Sequence, residues 1–266
     1  MWAARGNRLV SLTPAGVVHQ YTVPINRGSV FTGITALAVN TDGQVAVGLS
    51  ASNNLLVFNA ARGTFSGHAL PGLAGVNAIV ALSDGRFVVG RGVPFAGLGD
   101  IDLVDLVHSD RVLATHAALA AGHGKSIVTD DGTHLAVTRV GDNAGSDATV
   151  RLPPLPADEL LFPPVAMNAA NTIVVGLGGG LATSTPTGWS QLRPSQPCPP
   201  NPGQPIGPSP AHHGMPSGPL PPDGTTAPTT NTNPHPVCPP TARAAAIDGA
   251  GHKWLLTTLG RVYYAP

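Results

Sequence analysis

The sequence predicts an all-β propeller, a ring of four-stranded antiparallel sheets made from one repeated unit. Three observations carry this. First, a strand-turn-strand phrase recurs: Asp42-Gly43-Gln44-Val45-Ala46-Val47-Gly48, Asp84-Gly85-Arg86-Phe87-Val88-Val89-Gly90 and Asp131-Gly132-Thr133-His134-Leu135-Ala136-Val137. It returns in weaker form as Ala170-Asn171-Thr172-Ile173-Val174-Val175-Gly176, and a last copy, Asp248 to Leu256, has two residues inserted in the turn. Second, the spacing stays near 40 residues, and self-similarity at such a period means one supersecondary unit repeated. Third, each period holds four short apolar runs divided by turn residues, the content of one propeller blade.

The second unit shows the plan most plainly. Ile34 to Val39 is an apolar run ending at Asn40-Thr41-Asp42-Gly43, and Gln44 to Gly48 returns. Asp-Gly between two such runs is a strong hairpin signal, expected here as a type I′ turn. Leu55 to Phe58 and Thr64 to Leu70 complete the unit. The third has Val76 to Leu82, Arg86 to Gly90, Ile101 to Val107 and Arg111 to His116. The fourth is expected at Ser126 to Thr129, Leu135 to Val140, Thr149 to Leu152 and Leu160 to Phe162. The fifth has Val165 to Asn168, Thr172 to Gly176, Gly180 to Ser184 and Trp189 to Leu192.

The ends are incomplete. Met1 to Ala4, Asn7 to Leu12 and Val17 to Val23 supply the second to fourth strands of a first unit without its first strand. Arg243 to Ile247, Lys253 to Thr257 and Arg261 to Tyr264 supply three strands of a last unit. This makes six units in a single domain spanning 1–266. The alternative is a five-bladed ring whose ends share one blade. In either ring the ends are expected to meet, because closure hides sheet edges.

One interval breaks the repeat. The anchors Asp42, Asp84, Asp131, Ala170 and Asp248 stand 42, 47, 39 and 78 residues apart, and the long gap contains Cys198 to Cys238. That insertion, 198–238, holds 13 prolines and almost no large apolar residue, so it cannot form a core. A disulfide between Cys198 and Cys238 is expected to staple its ends. Free thiols or a metal pair are the alternative, since no other cysteine completes a thiolate site. His212, His213 and His235 lie within it, and loops of this kind carry binding surfaces.

Composition narrows the function classes. Of 266 residues, 14 are Lys or Arg and 14 Asp or Glu, so the net charge is zero and no basic stripe favours nucleic acid. No apolar run reaches the roughly 20 residues of a membrane helix. Sparse charge (11%), Thr/Asn/Ser-rich loops and two cysteines suit an extracellular or periplasmic protein, with Met1 either an added start or the residue after a removed leader.

Three stretches resemble known propeller repeats. Asn7-Arg8-Leu9-Val10-Ser11-Leu12-Thr13-Pro14-Ala15-Gly16-Val17-Val18-His19-Gln20-Tyr21 resembles the repeat of streptogramin lyase-type propellers. Asp248 to Tyr264 and Asn171 to Pro186 resemble the periplasmic two-component-regulator propeller repeat. The resemblance rests on structural positions, so it implies fold above function. Lyase chemistry in that family implies a His base near a metal held partly by a Glu. The chain has a single Glu, Glu159, in the Pro-rich stretch Pro153 to Pro164, which matches no strand-end motif. That departure counts against lyase activity, although Asp could take the place of Glu as a hard-cation ligand.

Several constellations are candidate sites. Asp100, Asp102, Asp105 and Asp110 crowd one hairpin, with Asp100 and Asp102 on one face, and such carboxylates either bind Ca²⁺ or serve as turn and edge residues. Asp142, Asn143, Ser146 and Asp147 form an oxygen-rich loop without the spacing of a calcium loop. His116 and His123 frame Ala117 to Gly122 and read as loop histidines. His252, beside Trp254, lies in the last Asp-Gly turn, where such turns converge at the channel. Trp2 and Trp254 hold equivalent repeat positions. Gly176 to Gly180 lacks the following helix that a phosphate loop needs. No nucleophile elbow or paired-histidine zinc motif is present.

The expected function is therefore a non-catalytic recognition or scaffold module, presenting loops to a protein or glycan partner. The alternatives are a lyase- or hydrolase-type propeller with a metal at the channel mouth, and a self-assembling structural subunit. No cofactor is expected, Ca²⁺ being the ion that the aspartates could hold.

Overall fold

In the computed structural model, residues 1–25, 33–72, 75–92, 98–143, 145–155, 164–177, 180–192, 242–257 and 262–266 are described. Alternation of apolar and polar residues sets the strands, and the turns between them fall where Gly, Asn or Asp relieves the backbone. The first sheet is β1 (Trp2–Arg5), β2 (Arg8–Leu12) and β3 (Val18–Thr22). The second is β4 (Ile34–Val39), β5 (Gln44–Leu49), β6 (Asn54–Asn59) and β7 (Thr64–Ala69). Next come β8 (Gly75–Ala81), β9 (Phe87–Gly92), β10 (Gly99–Val104), β11 (Arg111–His123), β12 (Ser126–Asp130), β13 (Leu135–Arg139) and β14 (Ala148–Arg151), joined in one seven-stranded sheet. β15 (Val165–Met167), β16 (Ile173–Leu177), β17 (Gly180–Thr185) and β18 (Gly188–Leu192) form a four-stranded sheet, and β19 (Ala242–Ile247), β20 (Lys253–Thr257) and β21 (Val262–Ala265) a three-stranded one. All pairings are antiparallel and follow chain order. No helix of the described residues is long and apolar enough to cross a membrane.

The sheets stack radially. β4 packs on β8, β8 on β11, β11 on β15 and β15 on β19, so these are the inner strands. The core lies between sheets: Ala46, Leu55 and Val57 of one unit meet Val76, Phe87 and Val89 of the next, and Val88, Ile101 and Leu103 meet Ala117, Leu119 and Ile127.

The seven-stranded sheet corrects the expected phase of the fourth unit. Residues 118–123, the second half of β11, are its inner strand, so Ser126–Asp130 comes second and Leu135–Arg139 third. Asp131-Gly132 therefore joins the second and third strands, and the inner turn is Gly124-Lys125. The run Ala117 to His123 was hard to see because Ala and Gly have low strand propensity. Its smallness suits the inner position. A Cβ on Gly122 would stand 2.4 Å from Val80 Cγ1 of the neighbouring inner strand. β11 crosses from the outer edge of the third unit to the inside of the fourth at His116, which takes a left-handed φ of 52°. His116 and His123 are thus strand residues.

The recurring turn also differs from expectation. Gly43 (φ 75°) and Gly85 (φ 90°) are left-handed, but Asp42 and Asp84 are not, so the turn is not type I′. The Gly43 amide donates to the Asn40 carbonyl and the Asn40 amide to the Gln44 carbonyl, which is a type I turn closed by a glycine bulge. The controlling side chain stands two residues before the phrase. Asn40, 6% exposed, accepts from the Asp42 and Gln44 amides through Oδ1 and donates through Nδ2 to the Gly85 carbonyl of the next turn at 2.8 Å. Asn168 repeats this, accepting from Ala170 and Thr172 and donating to the Asp248 carbonyl at 3.2 Å. Each buried amide ties its own hairpin and the next one.

The chain ends do not share a hydrogen-bonded sheet: β1–β3 and β19–β21 stay separate among the described residues. Counting the halves of the seven-stranded sheet apart, the described strands make six meanders, with three strands in the first and last. The expected strand at Leu160 to Phe162 and the whole insertion 198–238, including Cys198, Cys238, His212, His213 and His235, lie outside the described residues.

Removing the buried carboxamide leaves two amides and a carbonyl without their partner. Asn40→Ala and Asn168→Ala are each expected to lower stability by about 1–3 kcal/mol in urea denaturation. Unchanged midpoints in both variants would refute the tying role.

Candidate functional site

The antiparallel meander sends alternate turns to opposite rims of the ring. The turns β8–β9, β10–β11, β11–β12 and β13–β14 share one rim, and between the third and fourth units they enclose a cleft of about 710 Å³. Asp84, Arg86, Asp105, His108, Asp110, Arg111, Asp142 and Asn143 line it. The charges are paired. Arg86 donates to Asp84 at 2.6 Å, and Lys125 bridges Asp142 at 2.6 Å and Asp84 at 3.4 Å. Arg111 holds both oxygens of Asp147, and Arg86 and Arg111 both donate to the Gly141 carbonyl. Asp110 pairs with His68 of the second unit at 2.8 Å, and Asp105 with His108 at 3.1 Å.

Local chain geometry fixes these carboxylates. Asp105 Oδ1 accepts from the Val107 and His108 amides, and Asp147 Oδ1 from the Gly141 amide. Burial pushes the Asp84 carboxyl up, but hydrogen bonds and charge from Arg86 outweigh it and hold it below its ordinary value. Asp105 is likewise held low: burial acts against its two amide bonds and loses. The Lys125 ammonium holds Asp142 low. These acids are therefore ionised at neutral pH.

The opposite rim carries a smaller opening of about 340 Å³ at the inner strands, lined by Ala118, Leu119, Ala120, Asp130, Pro164, Val165 and Arg243 among others. Asp130, 6% exposed, accepts from the Gly132 amide at 2.8 Å, and burial raises its carboxyl above the usual range.

The predicted site residues separate. Asp100 and Asp102 share a face and both bind Arg91, whereas Asp105 and Asp110 line the cleft rim. Asp102 is fully buried and receives Nε of Arg91, itself 5% exposed; Arg91 also donates to the Pro71 carbonyl and, at 3.3 Å, to Asp100. Asp102 Oδ1 has no partner among the described residues. Burial drives the Asp102 carboxyl up, and Arg91 offsets it only in part. This is a structural ion pair between β9 and β10 of the third unit, which Arg91 also ties to Pro71 after the second, and nothing in the spacing of the aspartates announced Arg91. His252 Nδ1 meets Asp248 Oδ2 at 2.8 Å, and its ring packs against Trp254 and Tyr264 at 6.2 and 5.7 Å. Trp2 packs on Tyr21 and Phe58 at the junction of the first two units. Asp142, Asn143, Ser146 and Asp147 bind one another, Lys125 and Arg111. Among the described residues no three His, Cys, Asp or Glu side chains converge on a common point.

No family model matches the chain, and no curated protein matches its sequence. Solved structures do share its architecture. Virginiamycin B lyase from Staphylococcus aureus superposes with a TM-score of 0.60 at 14% identity, covering 100% of this chain and 80% of that one. YCF48 bound to D1 peptide gives 0.61 at 13% identity, covering 99% and 73%. A gluconolactonase from Xanthomonas campestris gives 0.53 at 12% identity, covering 97% and 78%. The fold is a β-propeller. It resembles the streptogramin lyase-like propellers, as the repeats of the sequence imply, and at these identities the likeness is one of fold. The same architecture serves a lyase, a lactonase and a protein solved with a peptide.

Two measurements check the electrostatics. Arg91→Ala strands the Asp102 carboxylate and is expected to cost about 3–5 kcal/mol, while Arg91→Met with Asp102→Leu recovers most of that; equal losses in single and double variants would contradict the pairing. Asp84 and Asp105 have folded values below 3.8, so their stabilisation is present above that value and lost as pH falls through the folded value. Asp102 and Asp130 have the opposite sign: their contribution is full below 3.8 and lost as pH rises through the raised folded value. Urea midpoints are expected to drop below about pH 4, and Asp84→Asn should flatten that acid limb.

Proposed function

We propose that the chain is an exported recognition propeller that holds a polypeptide partner in the charged cleft between its third and fourth units and does not turn a substrate over. The supporting observation is the pairing inside the cleft. Asp84, Asp105 and Asp142 are held ionised, and Arg86 and Lys125 are committed to Asp84 and Asp142, so these carboxyls are not poised to exchange a proton near neutral pH. A fixed pattern of both signs on rigid hairpins instead selects a partner by charge complementarity. The peptide on YCF48, a protein of the same fold, is in keeping with a polypeptide partner.

A second reading has its own observation. Asp130 sits at the inner opening with its carboxyl raised by burial, and Arg243 lines the same opening. An acid whose carboxyl is raised by burial in such an opening is the kind of group that a lyase or hydrolase uses.

Panning a library of twelve-residue peptides on the purified chain separates the two. Enriched peptides are expected to bind with micromolar affinity and to weaken at least tenfold in Arg86→Ala, with no change in Arg243→Ala. Binding that survives Arg86→Ala and fails in Arg243→Ala would move the site to the inner opening. No enriched binder would remove the recognition reading.

A further inference from the structure

The opening at the inner strands is shaped by an irregularity that several units share. β11 takes an extra residue between Leu119 and Ala121, and β19 one between Ala242 and Ala244. A bulge of this kind leaves its extra residue out of the ladder and re-aims the side chain. The extra residues are Ala120 and Arg243, and both line the opening. The same bulge falls on Thr35 of β4 and Asn77 of β8, which are exposed although their strands are inner ones. Arg243 is the charged member of these four, on a strand whose other residues are Ala and Ile.

Asp130 supplies the opposite sign. It stands opposite Ala118 in the ladder and is 6% exposed. The Gly132 amide fixes its Oδ1 at 2.8 Å, and no donor reaches its Oδ2 among the described residues. Asp130 lines the opening, so that oxygen is free to meet an occupant. Burial raises its carboxyl, the Gly132 amide offsets this only in part, and the charge of Asp131 adds to it. Arg243 likewise has no ion-pair partner among the described residues. The remaining walls are apolar: Leu119, Pro164, Val165 and four alanines.

The chemistry of the lining selects the occupant. A simple cation would satisfy Asp130 and leave Arg243 unmatched; a simple anion would do the reverse. A buried acid and a cation on one cavity of about 340 Å³, with apolar walls between them, fit a small molecule that carries both signs and an apolar body. We propose that the inner opening binds a free α-amino acid with an apolar side chain, its ammonium on Asp130 Oδ2, its carboxylate on Arg243 and its side chain against Leu119, Pro164 and Val165. The proposal rests on the opening of the second reading above but requires no turnover, and it does not depend on the charged cleft.

Leucine is the probe, with isopentylamine and isovalerate as analogues that each keep one of its charges. Calorimetric titration of the purified chain is expected to give leucine a dissociation constant of about 1 mM or below. Each analogue should bind about tenfold more weakly or worse, a comparison that leaves the protein unaltered. Arg243→Met should weaken leucine and isovalerate by a similar factor and leave isopentylamine unchanged. Asp130→Asn should weaken leucine and isopentylamine and spare isovalerate; it keeps the oxygen that accepts from Gly132, so the turn stands. Arg86→Ala should leave leucine binding as it is, whether or not the cleft holds a peptide. No heat of binding at millimolar leucine would overturn the proposal. So would isopentylamine binding as tightly as leucine, which would make the opening a simple cation site. A leucine affinity indifferent to Arg243→Met, or lost in Arg86→Ala, would overturn it as well.

Discussion

Where successive sheets converge on the axis, each inner hairpin must satisfy its own backbone and still touch the next. The buried carboxamides of Asn40 and Asn168 meet both demands with one side chain each. A carboxylate could accept from the two amides but could not donate to the neighbouring carbonyl. Asp248 illustrates the difference. It accepts from Ala250 and His252 in the same way, and its second oxygen turns to the His252 ring. It closes the last inner hairpin of the described residues. Ser83 uses its backbone amide for the same purpose, donating to the Gly124 carbonyl.

Close approach follows from this convergence. The glycine that ends the recurring phrase sits where the neighbouring inner strand comes nearest: a Cβ on Gly48 would stand 2.4 Å from Val76 Cγ1, and one on Gly176 2.4 Å from the Ala242 Cβ. The phrase thus records two constraints at once, a left-handed turn at its start and a steric limit at its end. Charge is kept away from these contacts and gathers at the turns of one rim, where Arg86, Arg111 and Lys125 bridge the third and fourth units. Arg91 and Asp102 are the exception, a buried pair within the third unit that Arg91 also ties to Pro71.

Much of the fold was legible because turn residues and β-branched runs report local backbone demands. The strands of the second, third, fifth and sixth units fall within a few residues of their expected positions. The inner strand at Ala117 to His123 was not legible, since its composition reflects the space available and says little about strand preference. The turn type was missed because Asp42 and Asp84 draw attention from Asn40, whose role depends on a carbonyl 45 residues away. The sites were less legible still. Asp100 and Asp102 are neighbours in sequence, but their meaning came from Arg91, and the cleft is drawn from four turns whose convergence no spacing encodes. His252 and Trp254 do come together, joined by Tyr264, a partner that their own motif does not contain.

The unbroken course of β11 has a mechanical consequence. Here the outer strand of one unit and the inner strand of the next are a single thirteen-residue segment, so neither sheet can separate while the other stays whole. The third and fourth units are therefore one cooperative block within a ring of otherwise nearest-neighbour coupling. The charged cleft lies on that block, and its walls are held at a fixed distance by a strand common to both.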